Sequence, residues 1–274
     1  MTGGPGPTRP AGAAGTAWDP QQYLRFGDER ARPFHDLLDR VPVTTAGLVV
    51  DLGCGPGGLT ATLPGRFGGA TVIGVDHSAD MMAAAAAHRV AGLRFEQGDA
   101  RTWQPPGAVD VLVSNATFQW IDGHVDLLGR WLSWLRPGGW FAFGVPGNFA
   151  SPSHRSIEDL VTTPAWSALL DPDVLERPRS AEPVVYLERL RALGAEAEVW
   201  ETTYYHVLNG PDPVLEWLRG TALRPVLARL DERAPQRRAA FEAELAAVLR
   251  RAYPPSSIGT VFPFRRLFAV AHRP

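Results

Sequence analysis

Three acidic residues and one glycine cluster have the types and spacing to do chemistry. The run Val49-Val50-Asp51-Leu52-Gly53-Cys54-Gly55-Pro56-Gly57-Gly58 places glycines where backbone could approach a ligand closely, since glycine has no Cβ to hold it off. Gly53, Gly55 and Gly58 also satisfy G-x-G-x-x-G, the dinucleotide fingerprint, which alone is a weak signal. Asp51 precedes the glycines, Asp76 ends the next apolar run, and Asp99 follows the third in Gly98-Asp99-Ala100. Ser114-Asn115-Ala116 ends the fourth. Each Asp alone could be a turn or cap residue. As a series they form a line of acceptors. Asp51 would attract a cation. Asp76 would accept from two ribose hydroxyls. Asp99 would accept from an adenine amino group, with the Ala100 amide against the ring.

Such a line needs parallel strands to carry it. The apolar patterning predicts a helix over 21–40, strands over 47–52, 71–76, 93–97, 109–114 and 140–145, and helices over 56–66, 79–89 and 122–135. Pro137-Gly138-Gly139 reads as a turn. Strands alternating with helices imply right-handed crossovers and a sheet covered on both faces. Ligands then bind beyond the carboxyl ends of the strands. After Val145 the rhythm breaks. A helical piece is expected near 153–163, a helix over 182–193, a strand over 196–206, helices through 211–251 with breaks near Pro225 and Pro235, and a closing strand over 260–272. The fold class expected is α/β, a Rossmann-like, mostly parallel sheet of about seven strands. A helical substrate cap, at about 146–182 and 207–258, would cover its ligand edge. Residues 1–17 are expected to be a disordered tail, and 18–274 a single domain.

The chain has 274 residues, 45% hydrophobic and 20% charged, so it can bury a substantial core. A net charge of −2 gives no reason to expect nucleic acid as a partner. It contains no lysine, and all 27 basic residues are arginine, so an Arg by itself is weak evidence of anion recognition. Cys54 is the only cysteine, which excludes an internal disulfide and leaves it as a small residue in a tight turn, with no His near it in sequence to activate it. The seven His form no H-x-x-x-H pair or Cys/His cluster, so no metal is expected. No apolar run reaches the length of a membrane span, and residues 1–17 lack the apolar stretch of a signal peptide. These features predict a cytoplasmic chain with no membrane partner.

Two physical points favour S-adenosylmethionine over a nicotinamide dinucleotide. A carboxylate at Asp51 would repel a pyrophosphate but attract a sulfonium or ammonium. S-adenosylmethionine also has no phosphate that needs a helix N-terminus. The series Asp51/Gly53/Gly55, Asp76, Asp99 and Asn115 resembles the class I methyltransferases that use this cofactor.

The resemblance narrows further along the chain. Trp18 to Phe26, followed by Glu29-Arg30-Ala31-Arg32-Pro33, is similar to the N-terminal helix of the trans-aconitate 2-methyltransferase family. Asn115-Ala116-Thr117-Phe118-Gln119-Trp120 resembles its N-A-x-x-Q-W segment, and Trp200 to His206 its W-x-T-T-Y-Y-H strand. Gly220 to Pro225 and Phe264 to Phe268 resemble its later segments. Three positions depart from the pattern, all near the expected cap: Gly147 stands where the family has an acid, Ala222 where Gly is usual, and Arg265 where it has Pro.

The resemblance implies methyl transfer to one carboxylate of a small polyacid. A carboxylate is already a nucleophile at neutral pH, so no general base, and hence no catalytic side chain in that sense, is expected. An arginine on the attacking oxygen would stabilise the ground state more than the transition state. Arginines are therefore expected on the non-reacting carboxylates, with Arg224 and Arg266 as the clamp. His206 and the Tyr204/Tyr205 pair would supply hydrogen bonds, although strand alternation turns one of the two rings to the core. Gln119 and Trp120 would line the methyl site, Asn148 would contact the acid, and Tyr23 and Arg30 would cover the cofactor. The competing readings are a related enzyme acting on another small acid or natural product, a nicotinamide oxidoreductase, and a non-catalytic cofactor sensor.

Overall fold

The computed structural model describes residues 27–176 and 178–274. Tyr23 lies outside them, and so does the side chain of Arg30, whose backbone is in helix α1 (Gly27–Leu38). Five runs, mostly buried except at the edge strand β3, form the parallel strands β1 (Leu48–Leu52), β2 (Thr71–Asp76), β3 (Leu93–Gln97), β4 (Val109–Asn115) and β5 (Leu135–Pro146). Two longer strands, β6 (Glu196–Leu208) and β7 (Gly259–His272), extend the sheet antiparallel, and the strand order is β3-β2-β1-β4-β5-β7-β6. A two-residue strand, Pro255–Ser256, pairs with the start of β7. The expected fold class is thus present.

Alternation along the strands builds two cores, one on each face. Val50, Leu52, Ile73, Val75 and Leu112 face helices α3 (His124–Ser133) and α5 (Pro183–Ala192), where Phe118 stacks on Trp131 at 4.1 Å. Val49, Val72, Val111 and Val113 face Phe34, Leu37 and Leu38 of α1. A third core gathers helices around one end of β6 and β7, where Leu208 and Phe262 join it. It joins α4 (Pro152–Val161) with α6 (Pro213–Arg219), α7 (Arg224–Arg233) and α8 (Arg238–Ala252) around Trp166, Leu223 and Phe241. The two stretches that bracket α5 and β6 in sequence therefore pack together in space.

Several element boundaries differ from expectation. The helix expected over 56–66 is a turn followed by a 3-10 turn, Thr60–Thr62, and one helical turn, Leu63–Arg66. The glycine loop occupies the preceding residues in conformations that a helix cannot use. Helix α2 (Ala79–Ala85), capped by the Ser78 hydroxyl accepting from Met81 N, stops at its last buried residue, because the following residues are exposed and offer no packing to sustain it. The expected turn at 137–139 is an irregularity within β5, where the register against β4 shifts. The break expected at Pro225 lies earlier, since Pro225 sits in the first turn of α7, where its missing N–H goes unneeded.

Candidate active site

The chain runs β1, β2, β3 to one side and then β4, β5 to the other, so the order reverses between β1 and β4. The carboxyl ends of these two strands leave a crevice there. The glycine loop leaves β1 with Gly53 at φ 83° and Gly55 at φ 55°, both in the left-handed region. A Cβ on Gly53 would sit 2.0 Å from Thr117 Oγ1, so the loop lies tight against the end of β4. A Cβ on Gly55 would meet nothing within 4 Å, which is the open side of the loop. Asp76 ties the loop to β2: its Oδ2 accepts from Gly55 N at 3.0 Å and its Oδ1 from Ser78 N at 2.9 Å. Ordered this way, its carboxylate keeps further lone pairs for a ligand's hydroxyls.

Asp51 is buried at the end of β1 and accepts a hydrogen bond from Thr60 Oγ1 at 2.6 Å. No ion pair to it is present among the described residues. Burial pushes its carboxyl up to about 7, the Thr60 hydrogen bond pulls the other way, and the charge of Asp76 adds to the rise. A buried carboxylate lacking a counter-charge beside an open glycine loop fits a cationic ligand, and this is the test that the sulfonium and ammonium of S-adenosylmethionine pass. Burial, with Asp51 and Asp76 nearby, pushes the Cys54 thiol upward, so it is no nucleophile.

Asp99 has a partner within its own turn. Arg101 grips it with Nε at 3.0 Å from both oxygens and Nη2 at 2.5 Å from Oδ2, and the Arg101 amide adds a fourth contact at 2.8 Å. The Arg101 hydrogen bond holds its carboxyl below the ordinary range. Much of its acceptor capacity is therefore engaged within the turn. Ala100 packs against the sheet core, and its carbonyl accepts from Trp131 Nε1 at 3.0 Å.

At the end of β4 the chain passes through Ala116 at φ 57°, the one non-glycine residue with positive φ among the described residues. Such a conformation persists only where the surroundings hold it, as the Ala116 N to Gly144 O bond of 2.7 Å does here. Beside it opens a cavity. Of the sequence candidates, Asn115, Gln119, Trp120, Asn148, His206 and Arg266 line it. Arg266 is 6% exposed and donates from Nη2 to Asn115 Oδ1 at 2.6 Å. With Oδ1 taken, Asn115 has its amide N–H groups left to offer. Gln119 donates to Ala116 O at 2.6 Å, while its Oε1 and the Nδ2 of Asn148 are buried with no hydrogen-bond partner among the described residues. Such atoms are costly unless a ligand meets them. His206 stacks on Trp217 at 5.1 Å. Burial pushes its imidazole below the ordinary value, Glu29 opposes this, and Arg266 and Arg32 reinforce it. It is therefore neutral at neutral pH.

Three of the substrate candidates are not on the cavity wall. Tyr204 turns to the α1 side and donates from its hydroxyl to Asp36 Oδ2 at 2.7 Å. Tyr205, next on the strand, points to the opposite face and is 70% exposed. Arg224, half-buried at the start of α7, is not among the lining residues, whereas Thr221 and Ala222 just before it are. Sequence reasoning also missed Glu29 and Pro33 from α1, His154 from α4 and Trp217 from α6. Glu29 stands in the same segment as the chosen Arg30, and its acidic type beside a basic run is the one signal that could have found it. Among the described residues no cluster of metal-ligand side chains is present, and no helix is long and apolar enough to cross a membrane.

A family model described as a methyltransferase domain matches residues 49–139, from β1 into β5. The trans-aconitate 2-methyltransferase of Streptomyces avermitilis is 50% identical over 268 residues, which cover 95% of this chain and 98% of that one. The enzyme of the same name from Streptomyces coelicolor is 48% identical over 271 residues, covering 96% of this chain and 88% of that one. Among solved structures, phosphoethanolamine N-methyltransferase 2 of Haemonchus contortus, in complex with phosphomonomethylethanolamine and S-adenosylhomocysteine, has a TM-score of 0.53 at 19% identity, covering 89% of this chain and 53% of that one. That likeness concerns the fold. Sequence identity near one half across almost the whole length concerns cap and sheet alike, and by it the chain belongs to the trans-aconitate 2-methyltransferase family.

Proposed function

We propose that this chain transfers the methyl group of S-adenosylmethionine to one carboxylate of trans-aconitate, giving a monomethyl ester. The observation that carries the reading is the buried Arg266, hydrogen-bonded to Asn115 at the carboxyl end of β4, in a cavity between the sheet and the cap. When bound, S-adenosylmethionine supplies a methyl on a sulfonium, whose C–S bond breaks as a carboxylate oxygen forms the new C–O bond and the sulfur keeps the electron pair. Asp51 and Asp76 would hold the cationic and hydroxyl groups of that donor against the glycine loop, and Glu29 adds negative charge at the cavity wall. The carboxylate substrate arrives ionised, so no residue has to remove a proton.

What remains for the protein is alignment and the exclusion of water. Trp217, Phe264 and Phe149 supply apolar wall. Arg266 would hold a non-reacting carboxylate, and the Asn115 amide, oriented by Arg266, would meet the reacting one with a neutral donor. This division avoids strengthening a charge pair that disappears in the transition state. Mass spectrometry of the purified protein with S-adenosylmethionine and trans-aconitate, cis-aconitate, citrate or isopropylmalate tests the reading. A methyl ester formed fastest on trans-aconitate, with matching S-adenosylhomocysteine, is expected. Faster esterification of another acid would replace the substrate, and no ester on any acid would refute the reaction.

A further inference from the structure

The cap side of the cavity carries donors that neither Arg266 nor the sheet supplies. The start of α4 forms part of that wall: Asn148 and Phe149 precede the helix, and His154 lies in its first turn. Asn148 is 5% exposed, and its Nδ2 is buried with no hydrogen-bond partner among the described residues. His154 is 7% exposed, with Nδ1 at 3.3 Å from the Ser151 hydroxyl and 3.4 Å from that of Ser153. The Phe149 ring packs against it, centroids 5.4 Å apart. Hydroxyls and ring together fix the imidazole in the cavity wall. The first turn of a ten-residue helix carries partial positive charge, which favours an anion beside it. A buried amide donor, an oriented imidazole and a helix start thus meet on one wall, and what suits all three is a carboxylate.

We propose that Asn148 and His154 form a second carboxylate subsite, which takes one non-reacting carboxylate of the polyacid while Arg266 takes another. The proposal rests on the polyacid reading above. It makes the cap the part of the molecule that counts carboxylates: a triacid can bridge from Arg266 on the sheet to His154 on the cap, and a diacid lacking the distal group cannot. His154 is then a specificity-determining contact that the family motifs on the sheet do not reveal.

The test compares wild type, Asn148→Asp and His154→Gln. Asn148→Asp keeps the shape but replaces the donor with a carboxylate. KM and kcat are measured with trans-aconitate, and glutaconate, mesaconate and itaconate, each short of one of its carboxylates, are measured as competitive inhibitors. S-adenosylmethionine affinity by calorimetry reports that each variant is folded. The expected result is a rise of roughly tenfold or more in the trans-aconitate KM of both variants, with kcat and cofactor affinity nearly unchanged. The one diacid that lacks the carboxylate held here should inhibit wild type and variants equally. An unchanged KM in a wild type that does esterify trans-aconitate would overturn the subsite alone. So would an equal loss of affinity for all four acids, which is the pattern of a general structural effect. A wild type that esterifies no polyacid would overturn the functional reading and the subsite with it.

Discussion

Replacing Asp51 with Asn should stabilise the ligand-free protein and weaken its hold on the cofactor. The carboxyl stands at about 7 in the fold against an ordinary 3.8, chiefly through burial. That gap of roughly three pH units, at about 1.4 kcal/mol each, makes the ionised side chain cost the ligand-free fold at most about 4 kcal/mol. The folded state binds this proton more tightly than the unfolded chain does. The stability it contributes is therefore complete below about pH 4 and is lost as pH rises towards about 7. Asn keeps an oxygen for Thr60 Oγ1 and removes the charge. Denaturant melts of both proteins from about pH 4.5 to about pH 8 should show near-equal stability at the acid end and a growing advantage for Asp51→Asn as the wild type ionises. S-adenosylmethionine should reverse the order. Its positive charge compensates Asp51 in the wild type and finds nothing in the variant, so calorimetry at about pH 8 should show affinity falling by roughly tenfold or more. Binding to the wild type near pH 6 should also release a proton. A stability difference that is flat with pH, or cofactor affinity that survives the substitution, would refute the account of Asp51 as a buried carboxylate awaiting a cation.

Other consequences follow from single contacts. Arg266→Ala should raise the trans-aconitate KM by roughly ten- to a hundredfold and leave cofactor affinity within about twofold, since a buried charged donor is removed from the acid and not from the glycine loop; unchanged KM would remove Arg266 from the clamp. Gly53→Ala should destabilise by more than about 2 kcal/mol in urea melts, because the backbone is at φ 83° and the new Cβ would fall 2.0 Å from Thr117 Oγ1. A loss under about 0.5 kcal/mol would show that the loop can move aside. Tyr204→Phe should cost about 1 kcal/mol through the lost Asp36 hydrogen bond. Tyr205→Phe, on the exposed face, should stay within about 0.5 kcal/mol, and equal effects in both would contradict the facing of the strand.

The strand-end residues proposed to hold the cofactor are legible in the sequence. Asp51, the glycine loop and Asp76 sit at or just past the ends of apolar runs, and a strand's end is a local feature that composition marks. The parallel sheet follows from the same rhythm, since strands alternating with helices have few other ways to bury both faces. At Asp99 the spacing does not announce that Arg101, only two residues away, already engages the carboxylate. Helix lengths near the loop are overestimated for a related reason. Propensity extends a helix through alanines, while packing ends it at Ala85, where burial ends.

The cavity proposed to take the acid depends on tertiary structure. Asn115 and Arg266 are 151 residues apart in sequence and meet because β4, β5 and β7 lie side by side. Which of Tyr204 and Tyr205 turns inward depends on the register of β6 against β7, and a one-residue slip would exchange them. Arg224 has the chemistry of a clamp and His154 stands in no motif, yet it is His154 that reaches the cavity. Both lie in the cap, where helices pack against other helices and their orientation towards the sheet is set by the shared core around Trp166, Leu223 and Phe241. Side-chain type and spacing along the chain therefore determined what the molecule could hold at the strand ends. Contacts between distant segments, whose angles no local pattern encodes, decided which side chains line the cavity beside them.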